Sequence, residues 1–186
     1  KKIINVLITL GLIALLVFAF LYHTTHTDYF AVTMSKLTDR EIKSEDIINR
    51  MEYEDITAAY FTVKRSDEKV FDDYMMLINT QGIYHLGYIE KNEWFVKKSE
   101  VLKIGAAPEY NKFYILPISD KQISYVLILL NARGVEEISY DGTKLEYVEH
   151  RNEGFNTFVT FFAPTEKVDI DKITIKTLGE AEYKIR

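Results

Sequence analysis

Carboxylates at close spacing are the first side chains in this chain that would suit metal or acid–base chemistry. Asp169 and Asp171 are two residues apart, which would place both carboxylates on one face of a strand and allow them to bind Ca²⁺. Asp72 and Asp73 are neighbours and would face opposite sides of a strand, so they would not act together as an acid and a base. A hydrophilic strand edge is the simpler interpretation of Asp169 and Asp171.

The histidines do not fall into a catalytic pattern. His23 and His26 lie three apart with Asp28 as the only nearby acid, which is too few ligands for a metal site, so interfacial polar residues are the preferred interpretation. His85 and His150 have no nucleophile at motif spacing. The chain has no cysteine, nucleophile elbow, phosphate loop or dinucleotide fingerprint. We therefore predict no catalytic, cofactor-binding or metal-binding residue, and no enzyme.

Aromatic side chains alternate with lysines in the middle of the chain. In a meander of strands, they would form either part of a core or an exposed groove for a peptide or glycan. The candidate groove residues are Tyr84, Tyr88, Trp94 and Phe95.

These candidates follow an apolar stretch, Ile3 to Tyr22, that contains no charge and no proline. A helix of this length would be about 30 Å long, which matches the hydrocarbon thickness of a bilayer. The sequence predicts a membrane anchor, represented by Ile3, Leu10, Gly11, Leu16, Phe20 and Tyr22. A cleaved secretory signal is the alternative, but its cleavage site would have to use Thr25-His26-Thr27, where threonine replaces the usual small residues.

Charge indicates the orientation and the partners. Lys1 and Lys2 precede the anchor, while the segment that follows it has no lysine or arginine before Lys36. The positive-inside rule then places the N-terminus in the cytoplasm and the C-terminal part outside the membrane. The net charge of −5 argues against a nucleic-acid partner, which leaves the lipid bilayer and an envelope protein or glycan.

Periodicity predicts a mainly β fold after the anchor. One short amphipathic helix is expected within Lys36 to Met51, either over Ser44 to Met51 with Ser44 as its cap or from an earlier capping box of Thr38 and Glu41. An antiparallel meander follows, and then a small immunoglobulin-like β-sandwich in which Asp141-Gly142 forms a tight hairpin. The predicted segments are an anchor and stalk at 1–27, a helix plus meander at 28–107 and the sandwich at 108–186. The predicted strands are Ile56 to Arg65, Val70 to Asn79, Ile83 to Ile89, Trp94 to Lys98, Phe113 to Ile118, Ile123 to Leu130, Glu136 to Tyr140, Thr143 to Glu149, Phe155 to Phe162, Ile173 to Thr177 and Ala181 to Ile185.

The anchor, the strand Glu93 to Val96 and the closing hairpin Ile173 to Tyr183 form a pattern seen elsewhere. The chain resembles uncharacterised single-pass, membrane-anchored extracytoplasmic β-rich proteins of Gram-positive bacteria. This resemblance implies a cell-envelope location and implies no activity and no site residues.

Together these features predict a membrane-anchored extracytoplasmic binding or structural protein without catalytic activity. One alternative is a cell-envelope enzyme or calcium-dependent module that uses scattered carboxylates. A second alternative is an accessory subunit of a membrane complex, recruited through the transmembrane helix.

Overall fold

The computed structural model describes residues 2–64, 72–80, 82–90, 93–97, 111–151 and 157–179. Two α-helices lie at the N-terminus, α1 (Lys2–His26) and α2 (Tyr29–Thr38). Single 3-10 turns occur at Ser44–Asp46 and Ile170–Lys172. The apolar window of α1, Ile4–His23, has a mean hydropathy of 2.7 and none of it is buried, so α1 is long and apolar enough to span a membrane.

The described strands form three antiparallel sheets. The first sheet has the order β1-β2-β3-β4-β5, the second β10-β11-β7-β6 and the third β12-β8-β9. We call them sheets A, B and C, and we call the sheets together with α2 the body. The strands are β1 Ile47–Tyr53, β2 Ile56–Lys64, β3 Asp72–Thr80, β4 Ile83–Glu90, β5 Glu93–Lys97, β6 Phe113–Ile118, β7 Ile123–Leu130, β8 Val135–Tyr140, β9 Thr143–Leu145, β10 Tyr147–Arg151, β11 Thr157–Ala163 and β12 Ile173–Thr177.

The body is layered, and each pair of neighbouring layers shares an apolar core. Phe30 and Met34 of α2 pack against Phe61 and Leu77 on the outer face of sheet A. The other face of sheet A packs on sheet B, and the far face of sheet B packs on sheet C. Every residue of β7 and β11 is buried, because these strands lie at the centre of the stack and have cores on both faces.

The fold class is confirmed as mainly β, with an apolar N-terminal helix and antiparallel sheets. The strands predicted at Phe113 to Ile118, Ile123 to Leu130 and Ile173 to Thr177 have the expected bounds. The immunoglobulin-like arrangement stays a prediction. The predicted boundary at 107/108 and the strand Ala181 to Ile185 fall outside the described residues, and the segments on either side of that boundary share the core between sheets A and B.

The helix predicted over Ser44 to Met51 is wrong. Ser44–Asp46 makes one 3-10 turn, in which the Asp46 carboxylate accepts a hydrogen bond from the Lys43 backbone N–H at 2.8 Å. The chain then enters β1, where pairing with β2 and burial of Met51 override the local helical spacing. The short amphipathic helix lies earlier, as α2.

Two further expectations also differ from the structure. The stretch after Tyr22 that was predicted as a stalk continues as helix through His26. The single strand expected over Thr143 to Glu149 divides at Glu146, because β9 pairs with β8 of sheet C while β10 pairs with β11 of sheet B. One segment therefore connects two layers.

Candidate functional site

The junction between the two helices is short and well defined. Only Thr27 and Asp28 separate α1 from α2, and we call these two residues the helix junction. The Thr27 backbone N–H donates to the His23 carbonyl at 3.0 Å. The Asp28 carboxylate accepts from the backbone N–H of Phe30 at 3.1 Å, so Asp28 is the N-cap of α2.

Arg50 ties the helix junction to sheet A. Its Nη2 atom lies 2.9 Å from each carboxylate oxygen of Asp28, and its guanidinium carbon lies 5.1 Å from the centre of the Phe30 ring. The ion pair and the cation–π contact hold β1 against the start of α2. The Asp28 cap was not predicted from the sequence, and its pairing with Arg50, which is 22 residues away, carries no sequence signal.

The environment of Asp28 favours its charged form. Partial burial raises the pKa of Asp28, but hydrogen bonds from Ser44, Arg50 and the Ala31 backbone, together with the charge of Arg50, outweigh burial. The net pKa therefore lies below its ordinary value. The carboxylate is ionised at neutral pH, both as a cap and as an ion-pair partner.

Three turns lie at the same end of the body, and we call this end the hairpin end. The β1–β2 turn meets the β6–β7 turn, where Lys121 Nζ lies 2.6 Å from an Asp55 oxygen. Ile56 follows the β1–β2 turn and pairs with Thr80, which precedes the β3–β4 turn. The β3–β4 turn therefore lies at the same end. Asn79 and Tyr84, on either side of the β3–β4 turn, line a depression of about 440 Å³ together with the helix junction and Arg50. The helix junction therefore lies beside the hairpin end.

A second concavity at the hairpin end is largely apolar, and we call it the aromatic pocket. Its volume is about 350 Å³, near the lower end of the range for small-molecule sites. The Tyr53 and Phe162 rings lie 5.3 Å apart, and the side chain of Tyr53 is partly exposed. The lining residues are Met51, Tyr53, Ile123, Thr143, Lys144, Leu145, Glu146, Phe162, Ala163 and Pro164.

The aromatic pocket has the chemistry of a binding site. Lys144 and Glu146 place one positive and one negative charge on a largely apolar lining. Lys144 Nζ also lies 3.7 Å from the Glu137 carboxylate. Tyr125, whose ring centre lies 5.2 Å from that of Phe162, has its pKa raised by burial and stays protonated at neutral pH. These groups can hold an apolar or aromatic moiety with a polar edge.

The predicted carboxylate and histidine candidates are dispersed in the fold. Asp169 caps the second 3-10 turn by accepting from the Asp171 backbone N–H at 3.2 Å. His85 is buried beside Thr80, and His150 is exposed on β10 near the Phe158 ring. Within the described ranges, no group of three or more His, Asp or Glu side chains is arranged to hold a metal ion.

The predicted groove lies on β4 and β5. Tyr84 is half-buried and packs with Phe30 of α2, at a ring-centre distance of 6.0 Å. In the register of the two strands, Tyr88 pairs with Phe95 and Ile89 pairs with Trp94. The side chains of Tyr88, Trp94 and Phe95 lie outside the described residues, and the groove stays a prediction. The aromatic pocket was not predicted, because its residues come from β1, β7, β9 and β11 and meet only in the folded chain.

Comparisons with protein-family models, with curated proteins and with solved structures find no match to this chain.

Proposed function

We propose that this chain is a single-pass membrane protein that presents a non-catalytic, extracytoplasmic β-rich binding module close to the bilayer. The main support comes from α1. Its window Ile4–His23 is apolar, and none of it is buried against the body. An apolar helix that the body leaves uncovered needs another apolar environment, and a bilayer supplies one of matching thickness. Lys1 and Lys2 on one side of the helix support a cytoplasmic N-terminus.

The orientation can be tested by labelling, since the natural chain has no cysteine. A single cysteine at the exposed residue Lys36 should react with a membrane-impermeant maleimide on intact cells. A cysteine at Lys2 should react only after the membrane is permeabilised. Labelling of Lys2→Cys but not Lys36→Cys on intact cells would reverse the proposed topology. A mature chain that lacks α1 would instead identify α1 as a cleaved signal.

We propose that the ligand of the module binds in the aromatic pocket. Support comes from the partly exposed Tyr53 ring over Phe162 and from Lys144 in the lining of the pocket. The dye 8-anilinonaphthalene-1-sulfonate combines aromatic rings with a negative charge, so it suits both features. We expect its fluorescence with the full chain in detergent to fall on Tyr53→Ala and on Lys144→Glu.

Leu178→Ala provides the matched control, because Leu178 is an exposed apolar residue outside the pocket. Equal dye fluorescence in all three variants would exclude the pocket as the binding site. Circular dichroism of each variant separates loss of the site from loss of the fold.

The calcium-dependent alternative predicts a different result. If Asp169 and Asp171 bound calcium, millimolar calcium would raise the melting temperature of the chain. The use of Asp169 as a cap for the Asp171 backbone favours the binding module, for which we expect an unchanged melting temperature.

A further inference from the structure

The exposed apolar side chains of the body are concentrated near the helix junction. Among the described residues outside α1, the exposed large hydrophobic side chains are Tyr29, Val32, Tyr53, Ile83, Ile170 and Leu178. Tyr29 begins α2, while Tyr53 and Ile83 adjoin the β1–β2 and β3–β4 turns. We infer that the hairpin end rests on the surface of the bilayer that α1 spans, with Tyr29, Tyr53 and Ile83 in the headgroup region, so that the aromatic pocket would receive its ligand at the membrane interface. This inference depends on the proposed membrane anchoring.

Few residues connect the apolar window of α1 to the body, so the body must lie close to the membrane surface. The apolar window ends at His23, α1 continues to His26, and only the helix junction follows. Three helical residues and two extended ones span at most about 12 Å. Arg50, which holds Asp28, is three strand residues from Tyr53, or about 10 Å. The hairpin end is therefore within reach of the headgroups.

The direction of α2 also indicates that α1 leaves the body at the hairpin end. Its first turn contacts Arg50, while Ser35, near its last turn, bonds the Ile42 backbone N–H at 2.9 Å, where the chain approaches the start of β1. The strand β1 then runs back towards Tyr53 at the hairpin end. Since the window of α1 is unburied, α1 does not fold back along the body. It leaves the body beside the turns that carry Tyr53 and Ile83.

The side chains at this end suit a shallow contact. Tyrosine is enriched at membrane interfaces because its ring is apolar and its hydroxyl group is polar. Glu54 and Asp120 are exposed in two of the same turns, so deep insertion would bury charge and an anionic surface would repel this end. The matching surface is a zwitterionic bilayer.

Fluorescence quenching of the full chain in phosphatidylcholine vesicles tests the contact. Single cysteines at Ile83 and Leu178 would carry the same fluorophore, and nitroxide groups on the lipid headgroups would quench it. The two sites are matched, since their exposures are 48% and 43%, and the Leu178 backbone bonds Gly134, which is at the opposite end of the body. We expect several-fold stronger quenching at Ile83 than at Leu178.

A third label separates the two proposals. A fluorophore at Leu12→Cys, in the middle of α1, should be quenched by nitroxides placed deep in the acyl chains. Absence of quenching at Leu12 would overturn the membrane anchor itself. Quenching at Leu12 with equal headgroup quenching at Ile83 and Leu178 would overturn the surface contact alone. If Ile83→Cys fails to fold, Tyr53→Cys tests the same contact.

Discussion

The Asp28 carboxylate caps α2 and also forms an ion pair with Arg50. Two substitutions separate the contributions of the cap and of the ion pair to the free energy of unfolding. Asp28→Asn keeps a good N-cap but removes the charge, so we expect it to cost less than about 1 kcal/mol of unfolding free energy at pH 7. Asp28→Ala removes both interactions and should cost about 1 kcal/mol more. Urea unfolding of the full chain in detergent measures both values.

The pH dependence of the ion pair follows from the lowered pKa of Asp28. A group whose pKa is depressed by folding contributes stability above its unfolded pKa, near 4, and loses it as the pH falls through its folded pKa. The stability difference between the wild type and Asp28→Asn should therefore shrink between pH 7 and pH 3. A difference that stays constant over this range would show that the charge of Asp28 does not contribute.

Asn49 is a buried polar link between sheets A and B. Its amide nitrogen donates to the Val148 carbonyl at 3.2 Å, and its oxygen accepts from the Thr160 hydroxyl at 3.0 Å. Asn49→Ala removes both of these buried hydrogen bonds and should cost about 1–3 kcal/mol. Thermal or urea unfolding measures the loss, and Thr160→Val completes a double-mutant cycle. Additive effects of the two substitutions would mean that the side chains are not coupled.

At the scale of elements, strands were predictable where burial is symmetric or turn chemistry is specific. The apolar run of β7 indicates a strand with a core on each face. Asp141-Gly142 indicates a hairpin because these residue types tolerate positive φ, and in the structure their φ angles are 50° and 80°. The error at Ser44 to Met51 has the opposite origin. Its helical spacing is local, whereas its strand conformation depends on pairing with the adjacent strand β2 and on the contact of Asn49 with Thr160, which is 111 residues away.

Two glycines with positive φ test the cost of backbone conformation. Gly142 has a φ of 80° and nothing within 4 Å of an added Cβ, so Gly142→Ala should cost only the conformational penalty, about 1 kcal/mol. Gly134 has a φ of 152°, which is essentially confined to glycine, and an added Cβ would also displace the side-chain ends of Arg151 and Leu178. Gly134→Ala should therefore be the more destabilising substitution in urea unfolding, and the reverse order would contradict this backbone argument.

At the scale of the molecule, we expect sheet B to make the body unfold as one cooperative unit, because sheet B contributes to the cores on both of its faces. Ile128 faces the core shared with sheet C, whereas Trp94 is on β5 at the edge of sheet A. Ile128→Ala should cost about 2–5 kcal/mol, and Trp94 fluorescence and circular dichroism should shift together. Leu178→Ala, at an exposed site, is the control. A Trp94 transition that stays at its wild-type midpoint would show that sheet A unfolds independently.

The long apolar helix α1 was predictable from the sequence because it depends on one contiguous apolar run. The aromatic pocket was not, since the Tyr53–Phe162 contact joins residues more than a hundred positions apart. The same limitation applies to Arg50, whose role becomes clear only when β1 lies against α2.

The two-residue link between the helices has a mechanical consequence. With Asp28 held to the body by Arg50 and only Thr27 between Asp28 and α1, we expect the body to follow the direction of α1. A thinner bilayer makes a spanning helix tilt. If α1 spans the membrane as proposed, bilayer thickness would therefore help to set the angle at which the body faces the lipid.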